Sequence, residues 1–286
     1  METNKILQDL ISIDSQTHKS NAGITSYIQN YFQDSQKFDY VVNGVKMNNL
    51  LVKIEGKNKE PLVFVSHTDT VGIQEGWITN LLMPYQKENK IYGLGASDMK
   101  GSVACLIASS INCKPSRDTY FVFVGSEEDN SQGARDLLGK VNFPKSQIII
   151  PEPTNRLVYL SQKGYLEGTF EGQKIQSRFN PEEREAFFEE ETKLKKYGRV
   201  IYSNPPSKTS KDSGLIRMIN SLDPSTRISN NSFAGWTEAG LFNKFGDAIV
   251  FGAGNYKFCH KPNENIDLND LDFFTNIFRE IINYKN

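Results

Sequence analysis

The chain has 286 residues, of which 23% are charged, and a formal net charge of −1 at pH 7, so one large domain, with or without a small insertion, is expected. Acids and bases are interspersed, which predicts neither a nucleic-acid partner nor binding to an anionic membrane. The sequence has no apolar run near the roughly 20 residues that span a bilayer, no signal-peptide pattern and no CxxC pair, so we expect a cytoplasmic protein.

Apolar spacing predicts alternating helices and strands through the first half of the chain. Residues at a helical period predict helices at 6–11 and 24–32. Short apolar runs then predict strands, at residues 48–54, 61–66, 118–125 and 147–151. Helical segments near 100–111 and 131–139 lie between the later runs. Such alternation is typical of an α/β fold with a mostly parallel mixed sheet flanked by helices.

The pattern changes after Gly164. Residues 165–172 alternate like an exposed strand, a charged helix is predicted from Glu182 to Lys196, and another strand follows at 199–202. We interpret this strand-helix-strand unit, residues 166–203, as a short lid segment inserted into a catalytic α/β domain. That domain comprises residues 1–165 and 204–286, where the pattern resumes with a helix near 209–221, a strand at 248–251 and a last helix from Asn269.

Histidines and acids stand close to the predicted strand ends or in glycine-rich turns. Two imidazoles and several carboxylates are involved, and the candidate metal ligands are His67, Asp98, Glu127 or Glu128, Glu152 and His260. Loops at the carboxyl ends of strands are where open α/β sheets place their sites. Catalytic zinc sites accept histidine and carboxylate ligands of this kind. The pattern therefore predicts a two-metal hydrolase.

The spacing of these residues also suggests individual roles. Asp69, two residues after His67, could hydrogen-bond the ring nitrogen that does not face a metal. Asp98 lies in a glycine-rich turn, where one carboxylate could bridge two ions. Of the adjacent Glu127 and Glu128, one could bind metal while the other serves as general base.

Each motif alone also has an ordinary structural explanation. His67 could simply end a strand, Asp98 could be a helix N-cap, and Glu127-Glu128 could form a solvated acidic turn. The functional interpretation depends on their combination, because all the motifs occur in one chain at equivalent places in the predicted fold.

The chain resembles the zinc aminoacylase/carboxypeptidase family, which includes acetylornithine deacetylase, acetyl-lysine deacetylase and succinyl-diaminopimelate desuccinylase. The matching stretches are Ser66–Val71, Tyr92–Gly101, Ser126–Glu128, Pro151–Thr154 and Cys259–Glu264. The resemblance implies that two divalent ions are bound, most often zinc, with cobalt or manganese as alternatives. It assigns the first ion to His67 and Glu152, and the second to Glu128 and His260. It also implies that Asp98 bridges both ions, that Glu127 is the general base and that Asp69 orients His67.

The chain departs from the family pattern in three places. Family members insert a second, dimerising domain where this chain has only residues 166–203. The histidine with which that domain stabilises the oxyanion is missing, and Gln176 or a backbone amide near Gly252 to Gly254 is the candidate replacement. The substrate-carboxylate arginine of the family is also missing, because Gly240 follows Ala239.

The resemblance implies hydrolysis of the amide of a small-molecule N-acyl amino acid, with an N-acetylated basic amino acid favoured. A dipeptidase or carboxypeptidase with the same mechanism is the first alternative. The second is a metal-binding protein with little turnover, which the missing histidine and short lid segment would suit. Because residues 166–203 are too few for the usual dimer face, we expect a monomer or weak homodimer whose site is completed within one chain.

Overall fold

The computed structural model describes residues 2–285. Its helices are α1 (Glu2–Ser12), α2 (Ala22–Gln29), α3 (Lys100–Ser110), α4 (Gln132–Lys140), α5 (Arg184–Tyr197), α6 (Gly214–Leu222), α7 (Ala239–Phe242) and α8 (Leu268–Asn283). Its strands are β1 (Gln36–Val42), β2 (Val45–Ile54), β3 (Asn58–His67), β4 (Tyr85–Lys87), β5 (Lys90–Tyr92), β6 (Arg117–Val124), β7 (Ser146–Pro153), β8 (Leu157–Val158), β9 (Ser161–Gln162), β10 (Gly164–Phe170), β11 (Gln173–Phe179), β12 (Gly198–Asn204), β13 (Ser207–Lys208), β14 (Arg227–Ile228), β15 (Gly246–Gly252) and β16 (Asn265–Asp267).

A six-stranded sheet in the order β1-β2-β6-β3-β7-β15 forms the centre of the fold. The strands from β6 to β15 run parallel to their neighbours, whereas β1 and β2 form an antiparallel hairpin that pairs antiparallel with β6. The α/β class with a mostly parallel mixed sheet is thereby confirmed. The parallel strands place their carboxyl ends at one edge, which is where the predicted ligands lie.

Alternate residues of the strands face opposite sides of the sheet, and each side is covered. In β3, Leu62 and Phe64 join a core with residues of α1, α2, α3, α6 and α8. Val63 and Val65 join a second core with residues of α4 and α7. This explains why the central strands read as continuous apolar runs in the sequence, since parallel strands buried on both faces need apolar residues at every position.

The lid segment forms a small antiparallel sheet in the order β11-β10-β12, with α5 packed on it around Leu166, Phe179, Phe187 and Leu194. It thus contains one strand, β11, more than the sequence pattern indicated, because the polar side chains of Gln173–Phe179 hide the alternation. The division into a catalytic domain and a lid stays a prediction. Met1 and Asn286, at the ends of that predicted domain, lie outside the described residues.

Polar contacts and stacked rings tie the lid segment to the rest of the chain. The side chain of Asn130, in the loop after β6, donates to the carbonyl of Ile201 at 3.2 Å and accepts from the N–H of Ser203 at 3.1 Å. The ring of Tyr165 stacks on Trp236 with centroids 5.3 Å apart. Among residues 2–285, no helix combines the length and the hydropathy that crossing a membrane requires.

Candidate metal centre

Three neighbouring parallel strands bring the first candidate ligands to one edge of the sheet. His67 is the last residue of β3 and is paired in register with Val124, the last residue of β6. Glu127 and Glu128 lie in the loop after β6, which ends at Val124, and Glu152 is the penultimate residue of β7. Because these strands are adjacent in the sheet, side chains that are up to 85 positions apart in the sequence meet at one place.

Asp98 lies between the two histidines. Its Oδ1 is 3.1 Å from Nε2 of His67, and its Oδ2 is 3.1 Å from Nε2 of His260. Glu152 completes the first group, with its Oε1 3.6 Å from Nε2 of His67, and Glu128 completes the second, with its Oε1 3.0 Å from Nε2 of His260. The structure therefore brings together two three-residue groups that share Asp98, the arrangement that the resemblance implies.

Asp69 contacts His67 differently from what the sequence suggested. Nδ1 of His67 lies 2.9 Å from the backbone carbonyl of Asp69, whereas the carboxylate is 3.8 Å away. The carboxylate instead accepts hydrogen bonds from the backbone N–H groups of Glu127 and Glu128, both at 3.1 Å. A carbonyl acceptor leaves the proton on Nδ1 and directs Nε2 towards Asp98. The backbone carbonyl of Asp69 thus contacts the imidazole of His67, and its carboxylate contacts the N–H groups of the two glutamates.

The electrostatics of the centre reflect carboxylates crowded in a buried space. Burial raises the pKa of Glu127 well above its usual value, and it raises the pKa of Glu152 to about 7 and that of Glu238 to about 8. Burial alone would also raise the pKa of Asp98, but hydrogen bonds from His260 and His67 lower it overall. Neighbouring acids in a low dielectric ionise together only when cations compensate them.

The donor set fits divalent cations. Ligand oxygens of Glu127, Glu152 and Glu238 lie within 4.8 Å of one another, and within residues 2–285 neither buried oxygen of Glu238 has a hydrogen-bond partner. Burying several carboxylates without partners is costly, and ions bound by His67 and Glu152 would offset that cost. Imidazole nitrogens and carboxylate oxygens are also the donors that zinc accepts.

A cavity of about 480 Å³ opens over the two groups. Besides four of the acids and His260, it is lined by Val71, Arg178, Phe233, Ala234, Gly235, Trp236 and Tyr256. Arg178 is exposed, its guanidinium lies 5.1 Å from the centre of the Tyr165 ring, and within the described chain it makes no salt bridge. An arginine that is held on an aromatic ring but unpaired is suited to binding an anionic group of a ligand.

The candidate replacements for the missing oxyanion histidine are placed elsewhere. Gln176 does not line the cavity, and its amide donates to Glu167 at 2.7 Å and to the hydroxyl of Tyr165 at 2.8 Å. The backbone N–H of Gly252 donates to the Thr154 hydroxyl, and that of Ala253 to Ser102. The amides of Gln176, Gly252 and Ala253 already have acceptors, so they are poorly suited to stabilising an oxyanion.

Three residues at this site, Arg178, Glu238 and Glu264, have no role that the sequence predicts. Arg178 lies two positions after Gln176 in β11, and the two-residue period of a strand would have placed both on one face once β11 was recognised. Glu238 lies near one of the stretches that resemble the family, and Glu264 lies inside another. Glu264 accepts buried hydrogen bonds, whereas the buried oxygens of Glu238 have no hydrogen-bond partner in the described chain, and no sequence pattern indicates either property.

Most of the chain matches a known protein family in sequence. The family model described as peptidase family M20/M25/M40 matches residues 63–284, which is most of the chain. The chain belongs to this family. The match begins in β3 and ends at Tyr284, directly after α8, so it includes each of the predicted metal ligands.

Individual members of the family show moderate identity. The chain is 28% identical over 165 residues to succinyl-diaminopimelate desuccinylase of Sulfurimonas denitrificans, covering 56% of this chain and 44% of that protein. It is 31% identical over 174 residues to acetylornithine deacetylase of Buchnera aphidicola subsp. Schizaphis graminum, covering 57% and 45%. The chain therefore spans less than half the length of these curated relatives.

Solved structures of family members share the fold. The M20 family metallo-carboxypeptidase Sso-CP2 of Sulfolobus solfataricus aligns with a TM-score of 0.77 at 14% identity, over 99% of this chain and 98% of that chain. Human carnosine dipeptidase 1 aligns with a TM-score of 0.73 at 12% identity, over 98% and 95%. At these identities the likeness concerns the fold alone, and it agrees with the α/β class predicted from the sequence.

Proposed function

We propose that the protein is a two-metal hydrolase that cleaves the amide bond of an N-acyl amino acid. The observation that carries this proposal is the pair of ligand groups sharing Asp98, with Glu127 beside them at the cavity and outside both groups. A structural metal site needs no uncoordinated carboxylate, whereas a hydrolase needs a general base. The names of the relatives, a deacetylase and a desuccinylase, favour acyl amino acids as the substrate class.

Each ion would have its own ligands. His67 and Glu152 would hold one, Glu128 and His260 the other, and Asp98 would contact both through its two oxygens. When bound, zinc ions supply Lewis-acid polarisation of the scissile carbonyl and lower the pKa of water, and cobalt or manganese can do the same.

Glu127 is the proposed general base. Its side chain is only 6% exposed, it lines the cavity, and within residues 2–285 no hydrogen bond occupies its carboxylate. The raised pKa caused by its burial makes the carboxylate more basic than a solvated glutamate. We propose that it takes a proton from the attacking water and delivers it to the nitrogen of the leaving amine.

Arg178 is proposed to bind the substrate carboxylate. It is the one lysine or arginine among the cavity-lining residues of the described chain, and the family's own arginine is replaced by Gly240. The aromatic rings of Phe233, Trp236 and Tyr256 would then contact the apolar part of the substrate. A single cation beside apolar walls suits a substrate with a carboxylate at one end and an amide at the metals.

Replacing Arg178 with alanine is expected to raise KM about tenfold or more and to change kcat little, because a charge-assisted hydrogen bond to the carboxylate contributes roughly 1.5–3 kcal/mol in ground and transition state alike. Gln176→Ala is the matched control, since it lies on the same strand outside the cavity, and it should leave both constants within about twofold. Steady-state kinetics measure both. A fall in kcat with unchanged KM in Arg178→Ala would contradict this role.

The proposed function is tested by measuring amine release from a substrate panel with zinc, cobalt or manganese supplied. The panel contains acetylornithine, acetyl-lysine, succinyl-diaminopimelate and unmodified dipeptides. We expect release from at least one acyl amino acid, with an N-acetylated basic one favoured by the relatives' names. Release from dipeptides alone would support the peptidase alternative, and metal binding without release from the whole panel would support the binding protein.

The oligomeric state is proposed to be a monomer or weak dimer. Stable interfaces generally bury upwards of ~1,200 Å². The lid segment offers little apolar surface for this beyond Phe188, Tyr197 and Ile201, which are its exposed large hydrophobic residues in the described chain. Light scattering at micromolar concentration is expected to give a mass near the 32.4 kDa of one chain. A tight dimer joined through residues 166–203, with a partner side chain at the metals, would overturn this.

A further inference from the structure

Glu264 is buried beside the candidate metal centre, and its side chain contacts the backbone of the loop that carries Asp98. It is 2% exposed and stands four positions after His260, just before β16. Its Oε2 accepts a hydrogen bond from the N–H of Gly95 at 2.9 Å, and its Oε1 accepts from those of Ser97 and Asp98, both at 2.8 Å. The two oxygens of one side chain thus hold three N–H groups of the loop that carries the shared ligand.

The loop is packed so closely that it has little freedom of its own. Gly95 has φ +79°, and a Cβ there would lie 2.6 Å from Cγ2 of Thr70. The hydroxyl of Ser97 donates to the carbonyl of Asn265 at 2.9 Å. Since the N–H of Asp98 itself is bound by Glu264, the backbone from which the Asp98 side chain extends is fixed in position.

The same contact connects two ligands that are remote in sequence. Asp98 and His260 lie on different loops, and the segment that carries His260 ends at Glu264. The backbone carbonyl of Glu264 also accepts a hydrogen bond from the N–H of Gly93, at 3.0 Å. The two loops are therefore joined by side-chain and backbone bonds of a single residue, next to the place where Oδ2 of Asp98 meets the imidazole of His260.

A buried lysine lies near this acid. Lys100, 1% exposed in the first turn of α3, donates from Nζ to the carbonyl of Ile13 at 2.9 Å. Burial lowers the pKa of Lys100 to about 8, and the nearby Glu264 opposes that shift. Burial likewise raises the pKa of Glu264 to about 8, whereas its backbone hydrogen bonds favour the carboxylate form. These contacts are typical of a residue that positions a metal ligand rather than of one that binds metal itself.

We propose that Glu264 is a positioning residue that holds the Asp98 loop against the His260 loop, so that both oxygens of Asp98 face the two imidazoles before any ion binds. The inference rests on the proposed metal centre. It assigns Glu264 no contact with the ions or the substrate. Its consequence is that the affinity for metal depends on a residue that does not coordinate metal, as outer-shell partners are known to affect ligands.

The test is a metal titration of the metal-free chain carrying Glu264→Gln. Glutamine keeps the size but turns one acceptor oxygen into an NH₂ group that faces backbone donors, so the loop should shift. We expect two ions in the wild type and a loss of 10- to 100-fold in affinity for the more weakly bound ion in the variant, the range found for outer-shell partners. Cobalt absorption should report the altered ligand field at the same time.

Glu191→Gln is the matched control. Glu191 is also buried, at 7% exposure, and accepts from the hydroxyl of Ser203 at 2.6 Å, but it lies in α5 away from the ligands. Its variant should keep both affinities and the cobalt spectrum. If Glu264→Gln does not fold, Glu264→Asp, which keeps both oxygens with a shorter reach, should weaken the second ion in the same direction.

Two results would overturn the inference and are distinguishable. If the wild type binds two ions and Glu264→Gln, or Glu264→Asp in its place, binds them equally tightly with an unchanged spectrum, Glu264 has no positioning role, whatever its effect on the unfolding temperature. If the wild type itself binds fewer than two ions, the proposed metal centre is wrong, and the inference fails with it.

Discussion

Glu127→Gln is expected to lower kcat by a factor of about 10² to 10⁴, because a general base contributes that much to proton transfer. The substitution changes one oxygen to NH₂ at constant size, and Glu127 belongs to neither group that shares Asp98. The variant should therefore fold normally and retain two ions. Stopped assays of amine release together with elemental analysis of the purified variant measure both properties.

Glu128→Gln is the comparison that separates chemistry from coordination. The two residues are adjacent, and both N–H groups are held by Asp69, but only the carboxylate of Glu128 contacts His260. We expect Glu128→Gln to lose metal as well as turnover. Normal turnover by Glu127→Gln would show that the general base has been misassigned.

Removing the ions is expected to abolish turnover and to destabilise the folded chain. At free ion 1,000-fold above the dissociation constant, binding to the folded state alone contributes about 4 kcal/mol, which for a chain of this size corresponds to a shift in unfolding temperature on the order of 10 °C. Scanning calorimetry with and without a chelator measures the shift. The crowding of Glu127, Glu152 and Glu238 adds a reason for it, since bound cations remove their mutual repulsion.

Alanine variants of His67 and His260 test the metal assignment at each of the two groups. His67→Ala and His260→Ala should each lower the metal content, because each removes the imidazole from one of the two groups. His18, which forms a weak surface pair with Asp129 at 3.7 Å, provides the control, and His18→Ala should retain both ions. Full metal occupancy in both ligand variants would refute the assignment.

The sheet and the positions of the candidate ligands in it could be predicted from the sequence because both follow from local patterns. Apolar runs marked the buried strands β3, β6 and β7, and the acids and His67 follow or close these runs. Parallel strands present their ends at one edge, so residues at strand ends come together whatever their separation in sequence. The resemblance of the stretches around these residues to the zinc aminoacylase/carboxypeptidase family then implied which candidate ligand would hold which ion.

Contacts that depend on tertiary packing could not be predicted in this way. No sequence pattern indicates that His67 bonds the carbonyl of Asp69 rather than its carboxylate, since spacing alone does not separate the two acceptors. The polar strand β11 lacks an apolar face strong enough to be recognised, so the sequence does not predict that Arg178 lines the cavity while Gln176 does not. Glu264 acts across 166 positions through backbone donors, which leave no pattern in side chains.

The central claim is that this chain hydrolyses an amide with two ions and Glu127. The most direct measurement is the rate of amine release from an acyl amino acid as a function of ions bound per chain, with ions added back to the metal-free protein. We predict negligible release without metal, a rise to a maximum at two ions per chain, and almost none at two ions in Glu127→Gln. Release that is independent of bound metal, or wild-type protein holding two ions that releases no amine from any acyl amino acid or dipeptide, would contradict the account.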